Sequence, residues 1–241
     1  VQIRDYNGLK TSRQLYLEDQ PGYRANWTAN AIAQHLNGDL NAAALTLSKI
    51  EGLIKDHLLD SDKPEHSECL LYKLSIYIEA GRYETALEAL ENDASEIKDK
   101  GALLKYKALC LQKLDRGKEA ALIYRQLLQR NPDDHQLYHY LEQAMGTALG
   151  EIELRLRLYD KLATFYPRSD PPQFLPLTFL DGDSTEFKDR AARYVLNQLK
   201  RGTPATFVNI KPLLKDRKKL QTIQQIVLDF YTKEVPKLSP A

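Results

Sequence analysis

Apolar residues along this chain recur at intervals of three and four positions, with polar residues between them. That spacing places the apolar side chains on one face of an α-helix, so it predicts amphipathic helices along most of the sequence. Short segments rich in glycine, proline or polar residues separate the helical patterns. No segment shows a convincing strand pattern, and the chain is therefore predicted to be all-α.

One complete helix-turn-helix unit lies between Leu104 and Pro132. Its second half carries Ala120, Tyr124 and Pro132, which is the Ala-x3-aromatic…Pro spacing of a tetratricopeptide repeat. A small residue at position 120 lets two helices cross closely, and Tyr124 is expected to fill the groove toward the next repeat. Asn131 and Pro132 are expected to begin the next helix, as its N-cap and its first helical residue.

The same order of aromatic, glycine and alanine residues recurs earlier in the chain. Positions 43, 86 and 120 all carry alanine, at intervals of 43 and 34 residues, so the earlier repeat has about nine extra residues. A lengthened second helix and a polar turn from Asp60 to Pro64 fit this excess. The residues expected to pack the repeats or to turn tightly between their helices are Trp27, Ala31, Gly38, Ala43, Tyr77, Gly81, Ala86, Ala108, Ala120, Tyr124, Pro132, Tyr138, Tyr159 and Pro167.

The fourth repeat departs from this pattern at one position. It runs from Tyr138 to Pro167 and is expected to turn near residues 146–150. The place of the small residue falls near Leu154 or Arg155, both of which are large. We therefore expect the two helices of this pair to splay apart.

Beyond Pro167 the repeat pattern is lost, and helix signals take its place. Asp183 with a glutamate three residues later resembles a capping box and predicts a helix that ends at about Lys200. Thr203 followed by Pro204 is expected to begin another helix, with threonine as the cap.

The elements together predict one continuous right-handed α-α superhelix, a solenoid of roughly twelve helices. Residues 1–20 are expected to be the second helix of a truncated repeat, residues 21–168 four tetratricopeptide-like helix pairs, and residues 169–241 further helical pairs with a divergent pattern. The last helix is expected to span 218–237. Its predicted apolar face consists of Leu220, Ile223, Val227 and Phe230.

Composition narrows the class of protein. The 241 residues are 43% hydrophobic and 28% charged with a net charge of +1, so a buried core is expected and no global field favours DNA or an anionic membrane. No apolar run is long enough to cross a bilayer. Cys69 and Cys110 lie within helical patterns and are expected to be reduced, buried thiols of a cytosolic protein. The chain starts at Val1 and has one methionine, Met145, so we expect it to be a piece of something longer.

Three short motifs could indicate catalysis or metal binding. Residues 143–148 match Q-x-x-G-x-A, which acetyltransferases use to bind acetyl-CoA, but here a helix leads into the loop, so an interhelical turn is expected. His135 and His139 would share a helical face, but glutamine follows the first where a zinc hydrolase needs glutamate. His66 and Cys69 lack a second pair of ligands. We therefore expect no catalytic residue, no cofactor site and no metal site in this chain.

A basic stretch precedes and opens the last predicted helix. Such a stretch can bind phosphate, either of RNA or of a polyanionic small molecule, or form a solvated surface loop. The candidate residues are Lys211, Lys215, Arg217, Lys218 and Lys219. Near Trp27, by contrast, the chain lacks the lysine and asparagine pair with which chaperone-binding repeats hold a C-terminal carboxylate, so no such clamp is expected.

With the repeats placed in register, several blocks of sequence point to a family. The blocks are RANWTANAIAQHL at 24–36, ALIYR at 121–125, RNP at 130–132, YPR at 166–168, LPLTFLDG at 175–182 and GTPATF at 202–207. Together, in order and over nearly the whole chain, they resemble the auxiliary subunit of the N-terminal acetyltransferase A (NatA) complex. That subunit is considerably longer, so the resemblance identifies this chain as an internal fragment from its N-terminal to central part.

The resemblance implies a non-catalytic scaffold. In this family a helical-repeat subunit binds and positions a separate catalytic acetyltransferase of the GNAT fold and anchors it at the ribosome, where nascent polypeptides are acetylated. The implied partners are that catalytic subunit, the ribosome, nascent chains indirectly and a small regulatory protein, with no membrane and no DNA. The implied location is cytoplasmic and ribosome-associated. The alternative, from the repeat pattern alone, is a general peptide-binding or chaperone-binding adaptor.

Overall fold

The computed structural model of the protein describes residues 4–54, 57–146 and 152–234. All regular elements within these ranges are helical, which confirms the predicted all-α class. The α-helices are α1 Tyr6–Asp19, α2 Arg24–Leu36, α3 Leu40–Ile54, α4 Lys63–Glu79, α5 Tyr83–Asn92, α6 Lys100–Lys113, α7 Gly117–Arg130, α8 His135–Ala144, α9 Ile152–Phe165, α10 Pro171–Phe179, α11 Thr185–Lys200, α12 Thr206–Ile210 and α13 Arg217–Asp229. A 3₁₀ turn at Leu213–Lys215 precedes α13, and a π-helical turn at Phe230–Glu234 follows it.

The chain forms two compact units, residues 1–127 and residues 128–241. The first holds α1 to α6 and most of α7, and the second holds the end of α7 and α8 to α13. Two predicted elements extend past the described residues. The turn predicted at 146–150 lies outside them after Gly146, and the last predicted helix, 218–237, lies outside them from position 235 onward. The superhelical continuity of the domains stays a prediction.

Each helix pair of the first unit turns through one residue in the left-handed region. Gly38 has φ of 86°, Gly81 has φ of 72° and Asp115 has φ of 59°. After each of them, the next backbone N–H donates to a carbonyl five residues earlier, at 2.9 Å in all three turns. This closes the preceding helix in a Schellman motif, which needs a left-handed residue. Five positions later comes a fully buried alanine in each pair: Ala43, Ala86 and Ala120.

Several helices begin later than the sequence suggested. Asn131 and Pro132 do not open α8: Asp134 is its N-cap, and its carboxylate accepts a hydrogen bond from the Gln136 N–H at 2.9 Å. Aspartate is a strong cap, so it outcompetes the prolyl signal two residues before it. Ser184 rather than the aspartate before it caps α11, by accepting from the Phe187 N–H at 3.1 Å.

The start predicted at Thr203 and Pro204 is also wrong. The α12 helix begins two residues later, at Thr206, and its N-cap Ala205 makes no side-chain cap bond. The carbonyl of Thr203 accepts hydrogen bonds from both the N–H and the hydroxyl of Thr206. These bonds form a turn that precedes the helix. Gly202, with φ of 64°, ends α11 as predicted.

A recurring hydrogen bond ties the first turns of a helix to the proline six positions before it. Trp27 Nε1, the Tyr138 hydroxyl and Gln173 Nε2 each donate to that prolyl carbonyl, at 2.8, 2.7 and 3.2 Å. Pro132, which was expected to start a helix, therefore acts as a hydrogen-bond acceptor between helices. Pro167 has the same role.

The core of the first unit is aliphatic. One cluster joins α4, α5, α6 and the segment before α6, and a second joins α2, α3 and α4. Their buried members are Leu70, Leu71, Leu74, Leu90, Ile97 and Leu103, and Ala31, Ala43, Ala44, Leu47 and Ile76. The extra residues of the longer repeat lie in α3, with 15 residues, and in α4, with 17. The predicted polar turn is shorter than expected because Pro64 lies in the first turn of α4.

The core of the second unit is more aromatic. The rings of Tyr138 and Tyr159 are 6.4 Å apart, and Tyr159 lies 5.9 Å from Phe179. Phe174 and Tyr194 form another pair at 5.8 Å. Offset and tilted ring pairs of this kind add to the stabilisation from burial.

The predicted apolar face of the last helix is only partly right. Ile223 and Phe230 are buried, but Leu220 is exposed and Val227 is half-buried. The buried face instead includes Lys219. The charged residue takes this place because its ammonium group finds backbone acceptors inside the unit.

Candidate functional site

The alanines predicted to sit at helix crossings are fully buried. Ala31, Ala43, Ala86, Ala108 and Ala120 each expose 0% of their surface. Interiors of this kind are close-packed, so a larger side chain at these positions has no free volume to enter. They form the packed frame on which any binding surface depends.

The predicted aromatic positions take different roles. The Tyr77 hydroxyl lies 3.4 Å from Ser48 Oγ, and the Arg82 guanidinium lies 5.0 Å from the Tyr77 ring centroid. The Tyr124 hydroxyl donates to Gln112 Oε1 at 3.1 Å, on the helix before its own. That hydroxyl therefore links the two helices of one pair.

A buried ion cluster that the sequence pattern did not indicate lies in the first unit. Lys73 on α4 exposes only 5% of its surface, and its Nζ contacts Glu51 Oε2 at 2.5 Å and Asp93 Oδ2 at 3.1 Å. Burial by itself lowers the pKa of Lys73, but the two carboxylates raise it above its ordinary value. The cluster joins α3, α4 and the end of α5, and its charges are used inside the unit.

The fourth helix pair has a second buried cluster at the position where the small residue is missing. Arg155 Nε donates to Glu142 Oε1, and the Tyr159 hydroxyl donates to Glu142 Oε2 at 3.3 Å. Glu142 is 2% exposed, and the Arg155 guanidinium lies 3.7 Å from the centroid of the Phe179 ring. Burial, followed by the charge of Glu142, raises the pKa of Tyr159. The large residue at position 155 was the sequence signal that could have indicated this cluster. The predicted splay of the two helices stays a prediction.

The basic stretch divides into three kinds of residue. Lys219 is not available to a polyanion, because it is buried and its Nζ donates to the carbonyls of Leu177 and Thr178 at 2.8 and 2.9 Å. These carbonyls belong to the last turn of α10, where a cation is stabilised by the helix dipole. Lys218 is exposed but lies 2.7 Å from Asp183 Oδ2, so part of its charge is neutralised.

The remaining candidates are open to solvent. Lys211, Lys215 and Arg217 are exposed and form no ion pair within the described part of the chain. Asp216 between them caps α13 by accepting from two backbone N–H groups. Its carboxylate is therefore directed at the helix and leaves the three cations unneutralised.

The last residue of the LPLTFLDG block, Gly182, lies where a side chain would clash with α13. A Cβ on Gly182 would lie 2.6 Å from the Lys219 backbone nitrogen and 2.8 Å from Lys218 Cβ. The Thr222 hydroxyl also donates to the Gly182 carbonyl at 3.2 Å. The end of the block therefore lies directly against the first turn of α13, where a side chain has no room.

Comparison with known proteins identifies the family. A family model described as "N-terminal acetyltransferase A, auxiliary subunit" matches residues 64–239. The chain belongs to this family. This confirms the resemblance carried by the sequence blocks, and the family is that of the auxiliary subunit, not the catalytic one.

Relatives of the NatA auxiliary-subunit family extend the match across the chain. The auxiliary subunit NAA15 of Arabidopsis thaliana is 32% identical over 237 residues, which is 95% of this chain and 26% of the relative. N-alpha-acetyltransferase 16, NatA auxiliary subunit, of Mus musculus is 32% identical over 232 residues, with the same coverage of 95% and 26%. The chain thus spans about a quarter of the length of these curated relatives.

A solved structure supports the fold. A chain in the structure of Naa15/Naa10 bound to HypK-THB matches with a TM-score of 0.81 and 38% identity, over 98% of this chain and 35% of that one. This likeness confirms the fold class predicted for this chain, an all-α solenoid of tetratricopeptide-type helix pairs.

The described residues of the acetyl-CoA-like motif and two of the histidines considered as metal ligands take part in turns and packing. Gly146, with φ of 69°, turns the chain after α8, and residues 147 and 148 of the acetyl-CoA-like motif lie outside the described residues. His135 packs its ring 6.1 Å from Phe174, and His66 Nε2 lies 2.9 Å from Glu96 Oε2. Within the described ranges, no group of three or more histidine, cysteine or acidic residues could hold a metal ion. None of the helices in these ranges is long and apolar enough to span a membrane.

Proposed function

We propose that this chain is a scaffold segment of a NatA auxiliary subunit and that it helps to bind and position a separate catalytic acetyltransferase of the GNAT fold. The observation that carries this proposal is the 38% identity and TM-score of 0.81 to a chain of the solved Naa15/Naa10 complex. Catalysis resides in the partner, and nascent polypeptides meet this chain only indirectly. We propose a small regulatory protein as a further partner; the solved Naa15/Naa10 complex is likewise bound to an additional component, HypK-THB.

The internal chemistry of the chain supports a structural role. The most buried charged groups, Lys73 and Glu142, are paired with neighbours inside their own units. Buried charges that are fully paired act as fixed links between helices, and removing one partner of such a pair is costly. Lys73 and Glu142 thus serve to hold helices together.

Binding to the catalytic subunit is tested by co-expression of this chain with the catalytic NatA subunit from the same source. Co-purification through size-exclusion chromatography at one-to-one stoichiometry is the expected result, and chemical cross-linking with mass spectrometry then locates the helices in contact. Absence of a complex, together with tight binding of acidic C-terminal chaperone peptides, would replace the scaffold with the peptide-binding adaptor.

The second part of the proposal is that the chain helps to anchor the complex at the ribosome in the cytoplasm. Within the basic stretch, Lys211, Lys215 and Arg217 are available for phosphate contacts, since they are exposed and form no ion pair among the described residues. Each phosphate that a cation neutralises releases condensed counterions, so three contacts correspond to a slope of about −2 to −3 in log affinity against log salt. Binding through these residues should therefore weaken steeply as salt rises.

Ribosome binding is tested by co-sedimentation of the complex with purified ribosomes across a salt series. A variant in which the three candidate cations are replaced by glutamate should sediment less and lose the salt slope. Lys49, Lys98 and Lys118 are exposed lysines of the first unit, and their replacement by glutamate gives a control with the same change in net charge. If both triple variants lose binding equally, overall charge rather than the basic stretch controls it, and the assignment fails.

A further inference from the structure

The second unit contains a polar cavity that no part of the proposed scaffold function uses. Its volume is about 450 Å³, within the range of small-ligand sites. It lies among the start of α8, the segment before α10, and the facing parts of α11 and α12. The residues that matter for its chemistry are Asp133, Arg168, Asp170, Asn197, Gln198 and Arg201.

The acidic groups of this cavity are already engaged. Asp170 Oδ1 accepts a hydrogen bond from the Tyr194 hydroxyl at 2.8 Å and another from Gln198 Nε2 at 3.1 Å. Asp133 Oδ1 accepts from the Ser169 hydroxyl at 2.8 Å. These carboxylates hold the walls of the cavity in place.

The basic groups, in contrast, have no partner in the described chain. Arg168 and Arg201 are exposed, and neither guanidinium group makes a hydrogen bond or an ion pair within the described ranges. The side-chain amide of Asn197 is likewise exposed and makes no hydrogen bond within these ranges. A guanidinium group offers a planar fork of donors that matches a carboxylate, so both arginines are suited to receive one.

The balance of charge decides which kind of anion fits. The two arginines are matched by the two aspartates, so the lining has no excess positive charge with which to attract a dense polyanion such as RNA, and recognition rests on direct contacts to the two guanidinium groups. The side-chain amide of Asn197 and the amide oxygen of Gln173, whose Nε2 already donates to the Pro167 carbonyl, add donors and acceptors together, which is what a peptide backbone requires. We propose that the cavity binds a short extended peptide segment of a partner protein, with its acidic side chains on Arg168 and Arg201 and its backbone on these amides.

The test uses fluorescence anisotropy of a fluorescein-labelled peptide, GSEEESG, with the whole chain. We expect saturable binding, and binding of the neutral analogue GSQQQSG that is weaker by roughly tenfold or more, since each charge-assisted hydrogen bond contributes strongly. The double variant Arg168→Gln, Arg201→Gln should weaken GSEEESG by a similar factor. Arg193→Gln is the matched control, because Arg193 is an exposed arginine of α11 that does not line this cavity.

The outcomes separate the alternatives. The replaced arginines are exposed and unpaired, so circular dichroism and melting temperature should match the parent, and a binding loss then reports the site. Undetectable binding of GSEEESG, equal binding of GSQQQSG, or an unchanged affinity in the double variant overturns the proposal. Tighter binding of an RNA dodecamer or of inorganic tripolyphosphate at the same arginines would also overturn it, because the occupant would then be a phosphate.

Discussion

Replacement of Gly182 by alanine tests the contact between the LPLTFLDG block and the start of α13. The added Cβ would lie 2.6 Å from the Lys219 nitrogen, 2.8 Å from Lys218 Cβ and 2.9 Å from the Lys218 carbonyl carbon. Real Cβ atoms essentially never come within 3.0 Å of another heavy atom, so the segment before α11 must move away from α13. No left-handed φ is present at Gly182, so the effect of the substitution is steric rather than conformational.

The size of the effect follows from what that movement disturbs. Overpacking a close contact costs about 1–3 kcal/mol. The same displacement weakens the hydrogen bond from Thr222 to the Gly182 carbonyl, now 3.2 Å, which contributes about 1 kcal/mol. We therefore expect a loss of roughly 2–4 kcal/mol in the free energy of unfolding, and a decrease of roughly 4–16 °C in melting temperature for a chain of this size.

The assay is urea unfolding and thermal melting followed by far-ultraviolet circular dichroism. Gly52→Ala is the control, since Gly52 is exposed on α3 and its Cβ would meet nothing within 4 Å. Alanine in a helix is favoured over glycine, so this control should stabilise the chain by about 0.5–1 kcal/mol. If Gly182→Ala unfolds within about 0.5 kcal/mol of the parent, the described contact is not a close one and the reasoning is refuted.

Three further predictions concern other positions. Lys219→Met should lower the free energy of unfolding in urea by about 1–3 kcal/mol, because two carbonyls lose their donor. Lys211→Met, at an exposed position, should change that free energy little. Equal effects of the two substitutions would contradict the burial of Lys219. Gly81→Ala should cost roughly 1–2 kcal/mol, because φ of 72° is strained for an L-residue; a melting temperature equal to that of the parent would argue against the left-handed turn. Burial raises the pKa of Cys110 to about 11, so at pH 8 only about one thiol in a thousand is ionised. Ellman's reagent at pH 8 should therefore modify Cys110 only after unfolding and half-buried Cys69 sooner, and rapid native modification in the Cys69→Ser variant would refute this.

Helix pairing and its turns could be predicted because their causes are local. A helix records its buried face in the spacing of its own residues, and the left-handed residue that closes it must be one that tolerates positive φ. Gly38 and Gly81 showed this directly. Asp115 takes the same conformation without being glycine, so only its alignment five positions before Ala120 could have indicated it.

Helix starts were less predictable because neighbouring capping signals compete. Pro132 and Pro204 both favour a helix start, yet α8 begins after Asp134 and α12 begins at Thr206. In the first case a side-chain cap formed nearer the helix. The carbonyl of Pro132 is used instead by Tyr138, six positions later, and by a serine 37 positions later, and no local pattern records the second of these contacts.

The sequence by itself determined the all-α class, the buried alanines with the glycine turns five positions before two of them, and the family, because each depends on residue order within short blocks of the chain. Only the tertiary structure decided which charges face solvent. Lys211 and Lys219 look alike in a basic run, but the ammonium of Lys219 meets a carbonyl 42 positions away and is withdrawn from the surface. Likewise, Arg168 and Arg201 line one cavity only because α10 and α11 pack together. Long-range packing sets the solvation of each charge, and solvation determines whether it stabilises the interior or binds a partner.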